Sequence, residues 1–309
     1  MRSDKQKPLK TVEAFEKDIY LQLAFLKHAK FQKPLTESMQ KKTVFCGSGD
    51  SLAAAMLAEV FSDYRIRALD PLDVVKNKKL LKGKRAYFVS VSGNTISTVR
   101  AANLANHSAA ITRNQSSRLA KACAGMIKLA YEDSGILTCG SVGFFASMMT
   151  CMSLARKTRI NARNLFLAAK TQSKKITLRN NVYVLGNQYT YPLAMYAVAK
   201  MYEALGANAH YEKIEQFSHM GLFSARRGDT VIIFEEKNMH IEKLARHLKN
   251  LGIHTHNPHI GSKSKTDHAV FYTFVSQFVA LYNAKRKHLS DCYFVTSKKI
   301  RNASSNMIY

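Results

Sequence analysis

Apolar residues recur along this chain in two alternating registers. Between residues 11 and 29, Val12, Phe15, Ile19, Leu23 and Leu26 repeat at helical spacing and predict an opening helix. The next apolar run, 43–46, is short and continuous, which predicts a buried strand. It ends in the turn Gly47-Ser48-Gly49-Asp50-Ser51, and an alanine-rich helix is expected from Ser51. A second strand, 86–91, runs into Ser92-Gly93-Asn94 and a helix from Thr95. A third, 109–112, leads to a helix whose N-cap is Ser116 or Ser117, and 126–130 reads as a fourth strand. Strand, turn and helix in this repetition predict a parallel sheet covered on both faces.

The second half begins again in the same manner. After the polar, basic stretch 170–175, residues 182–185 read as a strand ending at Gly186, with a helix from Tyr191 and Pro192 in its first turn. Residues 230–234 form another buried strand, 239–251 a helix and 269–282 the last main helix. The economical description is two similar α/β units, 1–172 and 173–309, and an internal duplication follows from it.

Composition narrows the class. The 309 residues are 46% hydrophobic and 22% charged, a range that excludes a disordered chain. No apolar run reaches the roughly 18 to 20 residues of a membrane-spanning helix, and the basic amino terminus has no apolar segment behind it to act as a secretory signal. Five scattered cysteines without a CxxC pair predict reduced thiols in a cytoplasmic protein. The charge is +26, from 47 Lys and Arg against 21 Asp and Glu. A field of that sign attracts anions. The basic clusters at 76–84, 174–179 and 285–287 are short, however, and none is interleaved with aromatics as a base-stacking surface would be. A solvated basic surface is expected, and specific nucleic-acid binding is not.

The chemistry concentrates at two turns. The Gly47–Ser51 turn lies at the carboxyl edge of the expected sheet, where a helix start offers unpaired N–H groups to an anion. Ser51 adds a hydroxyl. The turn lacks the third glycine of a dinucleotide fingerprint and the GK[ST] ending of a P-loop. About forty residues on, Ser90-Val91-Ser92-Gly93-Asn94-Thr95 brings three more hydroxyls and a glycine to a neighbouring strand end. Hydroxyls and backbone N–H groups suit a phosphate monoester, because each donates without a buried countercharge. The two turns together predict one phosphate site. Farther on, Lys200 and Glu203 share a helix face, which by itself is a pattern for a surface ion pair.

The turns GSGDS and SVSGNT, with the following ITRNQSSRLA, resemble the sugar isomerase (SIS) domain family. LGNQYTYPLAMYAVAKMYEALG and EQFSHMGL resemble the second such domain in the isomerase region of glutamine:fructose-6-phosphate aminotransferase, without its glutaminase domain, and archaeal phosphosugar isomerases and deaminases. The resemblance implies two tandem SIS domains, each a flavodoxin-like or Rossmann-like three-layer sandwich, and a homodimer in which the histidine of one subunit completes the site of the other. It implies that Gly47, Ser48, Ser51, Ser90, Val91, Ser92, Thr95 and Glu132 bind substrate. It further implies that Glu203 moves a proton between C1 and C2, that His219 opens the sugar ring, and that Lys200 and a tail lysine, Lys298 or Lys299, assist.

Departures from the pattern bear on the substrate. Tyr196 replaces a glutamate, Gln216 replaces the glutamate before His219, and Thr138-Cys139-Gly140 stands where a serine-threonine-lysine run is usual. His254, His256 and His259 raise the question of a metal, but no carboxylate lies near them in sequence, and a basic surface loop is expected there. The expected function is therefore a phosphosugar aldose–ketose isomerase without cofactor or metal. A glucosamine-6-phosphate deaminase and a non-catalytic sugar-phosphate-binding protein are the alternatives.

Overall fold

Each short apolar run becomes a strand whose side chains alternate between two covered faces. In the computed structural model, which describes residues 10–158 and 160–309, nine strands form two parallel sheets. Helix α1 (Thr11–His28) and the single turn α2 (Glu37–Lys41) precede β1 (Thr43–Gly47) and α3 (Asp50–Phe61). Then come β2 (Arg67–Leu69), α4 (Pro71–Lys76), β3 (Arg85–Val89), α5 (Ile96–Ala102), β4 (Ser108–Thr112), α6 (Arg118–Ala122) and β5 (Gly125–Lys128). Helices α7 (Val142–Ala155) and α8 (Ala162–Ser173) lead to the second sheet. Its elements are β6 (Val182–Gly186), α9 (Tyr191–Leu205), β7 (Ala209–Lys213), α10 (Ile214–His219), β8 (Thr230–Phe234), α11 (Met239–Asn250) and β9 (His254–His256). The chain closes with α12 (Lys265–Arg286), α13 (Tyr293–Thr296) and α14 (Lys298–Ile308).

The strand orders are β2-β1-β3-β4-β5 and β7-β6-β8-β9, so both sheets start from a central strand, step to one side and return on the other. That reversal opens a crevice at the carboxyl ends of β1 and β3, where open parallel sheets bind ligands. The two hydroxyl-bearing turns follow these two strands.

Alternate residues of each strand enter different cores. Phe45 faces inward with Tyr87 and Val89, while Val44 and Cys46 face outward onto the α4–α6 side. In the second sheet Val184 and Ile232 face inward, and Leu185 and Ile233 pack outward with Phe217 and Ile241. The inner faces of both sheets contribute to one continuous core filled by α1, α3, α7, α8, α9 and α12. Helix α8 lies against α12, so the core runs straight through the sequence boundary near residue 172.

Several elements depart from the sequence expectations. Strand β3 stops at Val89, which leaves Ser90 and Val91 in the turn. Ser117, not Ser116, caps α6 by accepting from the Ala120 N–H. Helix α7 carries no periodic signal because it is apolar all round and buried on nearly every side. The short strands β2 and β7 are half polar, so alternation does not reveal them. His254 and His256 lie in β9, an edge strand paired with β8, and not in a surface loop. Among the described residues no group of three or more His, Cys, Asp or Glu side chains is placed to hold a metal ion, and no helix is long and apolar enough to cross a membrane.

Phe166 of α8 packs edge-on to Tyr20, Phe274 and Phe278, with ring centroids 5.2, 5.0 and 5.1 Å away. It ties its own mid-chain helix to α1 and α12, which come from opposite ends of the chain. Phe166→Ala should destabilise the fold by about 3–5 kcal/mol. Urea unfolding followed by circular dichroism should show both sheets lost in one transition at lower denaturant.

Candidate active site

The first turn is shaped by close approach. A Cβ on Gly47 would lie 2.8 Å from the backbone carbon of Ser51, so only glycine lets the chain fold back there. Gly49 takes φ +56° and sets Asp50 at the start of α3. In the second turn, Ser90 Oγ accepts the Gly93 N–H at 3.1 Å and lies 3.3 Å from Thr95 Oγ1. Ser92 Oγ accepts the Asn94 N–H at 3.3 Å. Thr95 precedes α5 but makes no capping bond, and its hydroxyl pairs with that of Ser90 instead. The Val91 carbonyl is tied to β4 through the Thr112 hydroxyl and the Arg113 N–H, both at 3.2 Å.

What sequence reasoning missed is the role of Asp50. Lys200 is fully buried, and its Nζ lies 2.8 Å from Asp50 Oδ2 and 2.6 Å from Glu203 Oε2. The ammonium also sits 5.0 Å from the centre of the Tyr196 ring. Glu203 Oε2 accepts the Gly140 N–H at 3.1 Å, and the Gly140 carbonyl accepts the Tyr196 hydroxyl at 2.7 Å. The Tyr196 hydroxyl in turn accepts from Gln277, which pairs with Gln22 on α1. Gly140 is needed here, because a Cβ would lie 2.9 Å from Asp50 Oδ2 and 3.2 Å from Lys200 Nζ. Desolvation lowers the proton affinity of Lys200, but Asp50 and Glu203 outweigh it and hold the amine well above its usual value. Burial raises the Glu203 carboxyl above its ordinary 4.5 against the pull of Lys200.

The Glu203 side chain is 30% exposed, and what it faces is a cavity of 630 Å³. Thr138 and Gly140 form one wall, Tyr202 and Gly206 another, and α14 closes it with Arg301, Ser304 and Ser305. Gly206 ends α9 at φ +60°, with the ring of Tyr293 packed where a side chain would start. The end of the tail reaches the second turn: Arg118 donates to the Asn94 carbonyl and, at 3.3 Å, to the Tyr309 oxygen.

The structure therefore joins part of the sequence-derived set. The Ser51 turn, Lys200 and Glu203 are connected through Asp50. Arg301 is the basic tail residue in the cavity wall, whereas Lys298 and Lys299 are exposed and outside it. Glu132 is also exposed and outside it. His219 ends α10 on the surface, 70% exposed, with Nε2 3.1 Å from Glu215 Oε1. A lysine at a helical i,i+3 spacing from a glutamate gives no hint that both are enclosed. The acid in GSGDS, immediately before Ser51, is the one signal that could have found Asp50.

No protein-family model matches the chain, and no curated protein sequence matches it. Solved structures do. A glucosamine-6-phosphate deaminase from Thermotoga maritima aligns over 90% of this chain and 95% of its own, with a TM-score of 0.72 at 18% identity. The C-terminal domain of glucosamine-fructose-6-phosphate aminotransferase from Francisella tularensis aligns over 93% and 98%, with a TM-score of 0.69 at 12% identity. A tagatose-6-phosphate ketose/aldose isomerase from Escherichia coli aligns over 90% of each chain, with a TM-score of 0.64 at 15% identity. At these identities the likeness is one of fold, shared along nearly the whole chain.

Removing the Lys200 ammonium would leave two carboxylates facing each other with no cation between them. Lys200→Met should cost about 3–5 kcal/mol of stability, as expected for a broken buried ion pair. Combining it with Asp50→Asn should recover part of that loss in thermal denaturation. A variant pair whose effects simply add would show that the contact carries no energy.

Proposed function

We propose that the protein is a phosphosugar aldose–ketose isomerase acting on a hexose 6-phosphate or its amino form. The observation that carries this reading is the Glu203 carboxylate, held by Lys200 and the Gly140 N–H in the wall of a cavity and tied through Asp50 to the hydroxyl-bearing turn. The fold shared with structures of sugar-phosphate enzymes supports it.

In this reading Ser51, Ser90, Ser92 and Thr95, with the backbone N–H groups of Gly47, Ser48 and Val91, hold the phosphate. Glu203 takes the proton from the carbon beside the carbonyl and returns it to the neighbouring carbon, through an enediol or enediolate. Lys200 has no surface to offer a ligand, so it positions Glu203 and balances its charge. Arg301 supplies the cation for the developing negative oxygen. His219 stands beside Met220 and Phe223, which are 62% and 79% exposed, a surface suited to a second copy of the chain. The reading places His219 of one subunit at the site of its partner, where it would open the sugar ring.

Incubation with fructose 6-phosphate and with glucosamine 6-phosphate, followed by assays for aldose and ammonia, tests the reaction. Release of ammonia from the amino sugar would make the protein a deaminase, a reading favoured by its likeness to the Thermotoga maritima structure. Binding of both without turnover would make it a sugar-phosphate-binding protein. In an isomerase, Glu203→Gln should lower kcat by about 10²–10⁴-fold while leaving affinity for the sugar phosphate nearly unchanged. Arg301→Met should lower kcat, and a Lys298→Met/Lys299→Met double variant should not. Mixing Glu203→Gln and His219→Ala subunits should restore activity that neither has alone.

The pH dependence has a definite sign. Glu203 acts as a base only when ionised, and burial raises its pKa above 4.5. Activity should therefore be present at neutral pH and fall as the pH drops through a value higher than that of an ordinary glutamate, read as the acid limb of kcat/KM.

A further inference from the structure

Two buried thiols meet behind the wall of the Glu203 cavity. Cys139 lies in the stretch leading into α7, and Cys292 immediately precedes α13. They are 153 positions apart in the chain, yet their sulfurs are 3.5 Å from each other. The Cys139 thiol donates to the Cys292 sulfur, whose other near neighbour is Thr138 Oγ1 at 3.7 Å. The Cys292 N–H is fixed by the Thr11 hydroxyl at 2.8 Å, and the Thr138 hydroxyl donates to the Thr11 carbonyl at 2.6 Å. Three distant segments therefore hold the two sulfurs together.

We propose that Cys139 and Cys292 are an oxidative modification site, closing to a reversible disulfide with a peroxide-class oxidant. The hydrogen bond from Cys139 brings the Cys292 thiol down to about 7, and burial pushes Cys139 well above the ordinary range. Cys292 is thus the sulfur that ionises, and Cys139 keeps its proton. The Cys292 thiolate attacks one peroxide oxygen, forming a sulfenic acid as the O–O bond breaks and hydroxide leaves. Cys139 sulfur then attacks the Cys292 sulfur, the S–O bond breaks, and the Cys139 proton departs with that oxygen as water. Thiolate, thiol and hydrogen peroxide give disulfide, water and hydroxide, which balances. Both cysteines are buried, and their chain neighbours Thr138, Gly140 and Tyr293 line the cavity, so an oxidant would reach them from that side.

The bond has a consequence for the site. A disulfide of about 2.0 Å requires the sulfurs to close by roughly 1.5 Å. Cys139 precedes Gly140, whose N–H holds Glu203 and whose carbonyl holds Tyr196. Oxidation would therefore shift the segment that positions Glu203 and lock it to the start of the C-terminal helices.

The test is thiol mapping of the full chain after brief treatment with a small molar excess of hydrogen peroxide, quenching and alkylation. The expected product has lost two hydrogens, contains a linked Cys139–Cys292 peptide pair and returns to the starting mass with dithiothreitol. Cys123, the one thiol of the five that is not buried, should still alkylate. Oxidation at Cys123 with Cys139 and Cys292 still free would overturn the proposal, as would unlinked sulfinic acid at either. The mapping reads the sulfurs directly, so its result is independent of whether a sugar phosphate is turned over.

Discussion

A lysine ammonium with no contact to water must be neutralised by the protein around it, and the position of Lys200 sets the arrangement of the candidate site. Its two counter-charges come from different parts of the chain. Asp50 belongs to the turn after β1, and Glu203 to the last turn of α9. The ion triad thus fixes the first sheet's ligand-facing turn against a helix of the second sheet. Withdrawal of either carboxylate would leave the buried Lys200 with a single counter-charge. Gly140 has to be a glycine because the triad leaves no room for a Cβ, and its N–H then becomes the donor that holds Oε2 of Glu203. One electrostatic requirement therefore accounts for the position of the Glu203 carboxylate, the identity of a glycine and the seating of two halves.

Packing makes that seating firm. The Tyr196 ring is stacked on Phe144 with centroids 3.6 Å apart, and its hydroxyl bridges Gly140 and Gln277. Gln277 and Gln22 exchange amide hydrogen bonds between α12 and α1. These polar groups are buried and satisfied, so each one specifies a neighbour where an apolar side chain would only fill space. The continuous inner core shared by both sheets carries the same message, since no layer of solvent separates the helices that hold the turn from the helix that holds Glu203. The Lys200 triad, assembled across such a core, is set to a fixed geometry.

The parts of this structure that the sequence revealed are those with periodic or turn-based signals. The strands at 43–47 and 230–234, the helix from Tyr191 and the turn of Ser90 to Thr95 were all readable, because burial on both faces and helix starts leave local patterns. Helix α7 was not, since its uniform apolarity is the mark of burial on all sides and has no period. Asp50 was hidden for a different reason. A carboxylate beside a helix start is ordinary, and only the three-dimensional neighbour, Lys200 at 150 positions' distance, turns it into a structural charge. The same holds for Arg301, which faces the cavity only because Tyr293 docks on Gly206 and directs the tail back over Glu203.

Within this very basic chain the triad is a local patch of the opposite sign. Around Glu203 the balance is one lysine against two carboxylates, a local excess of one negative charge. Tyr196, standing where the resembled synthase carries a further glutamate, keeps that excess from growing, because its buried phenol stays neutral. The cations at the border of the cavity and the second turn are arginines. Arg301 comes from α14, and Arg118 clasps both Asn94 and the last residue of the chain. The overall charge of +26 draws an anion toward the protein at long range. The buried triad acts at short range, where Lys200 restrains Glu203 without neutralising it by proton transfer. Burial raises the Glu203 pKa, while the contact with Lys200 holds the carboxylate in one orientation.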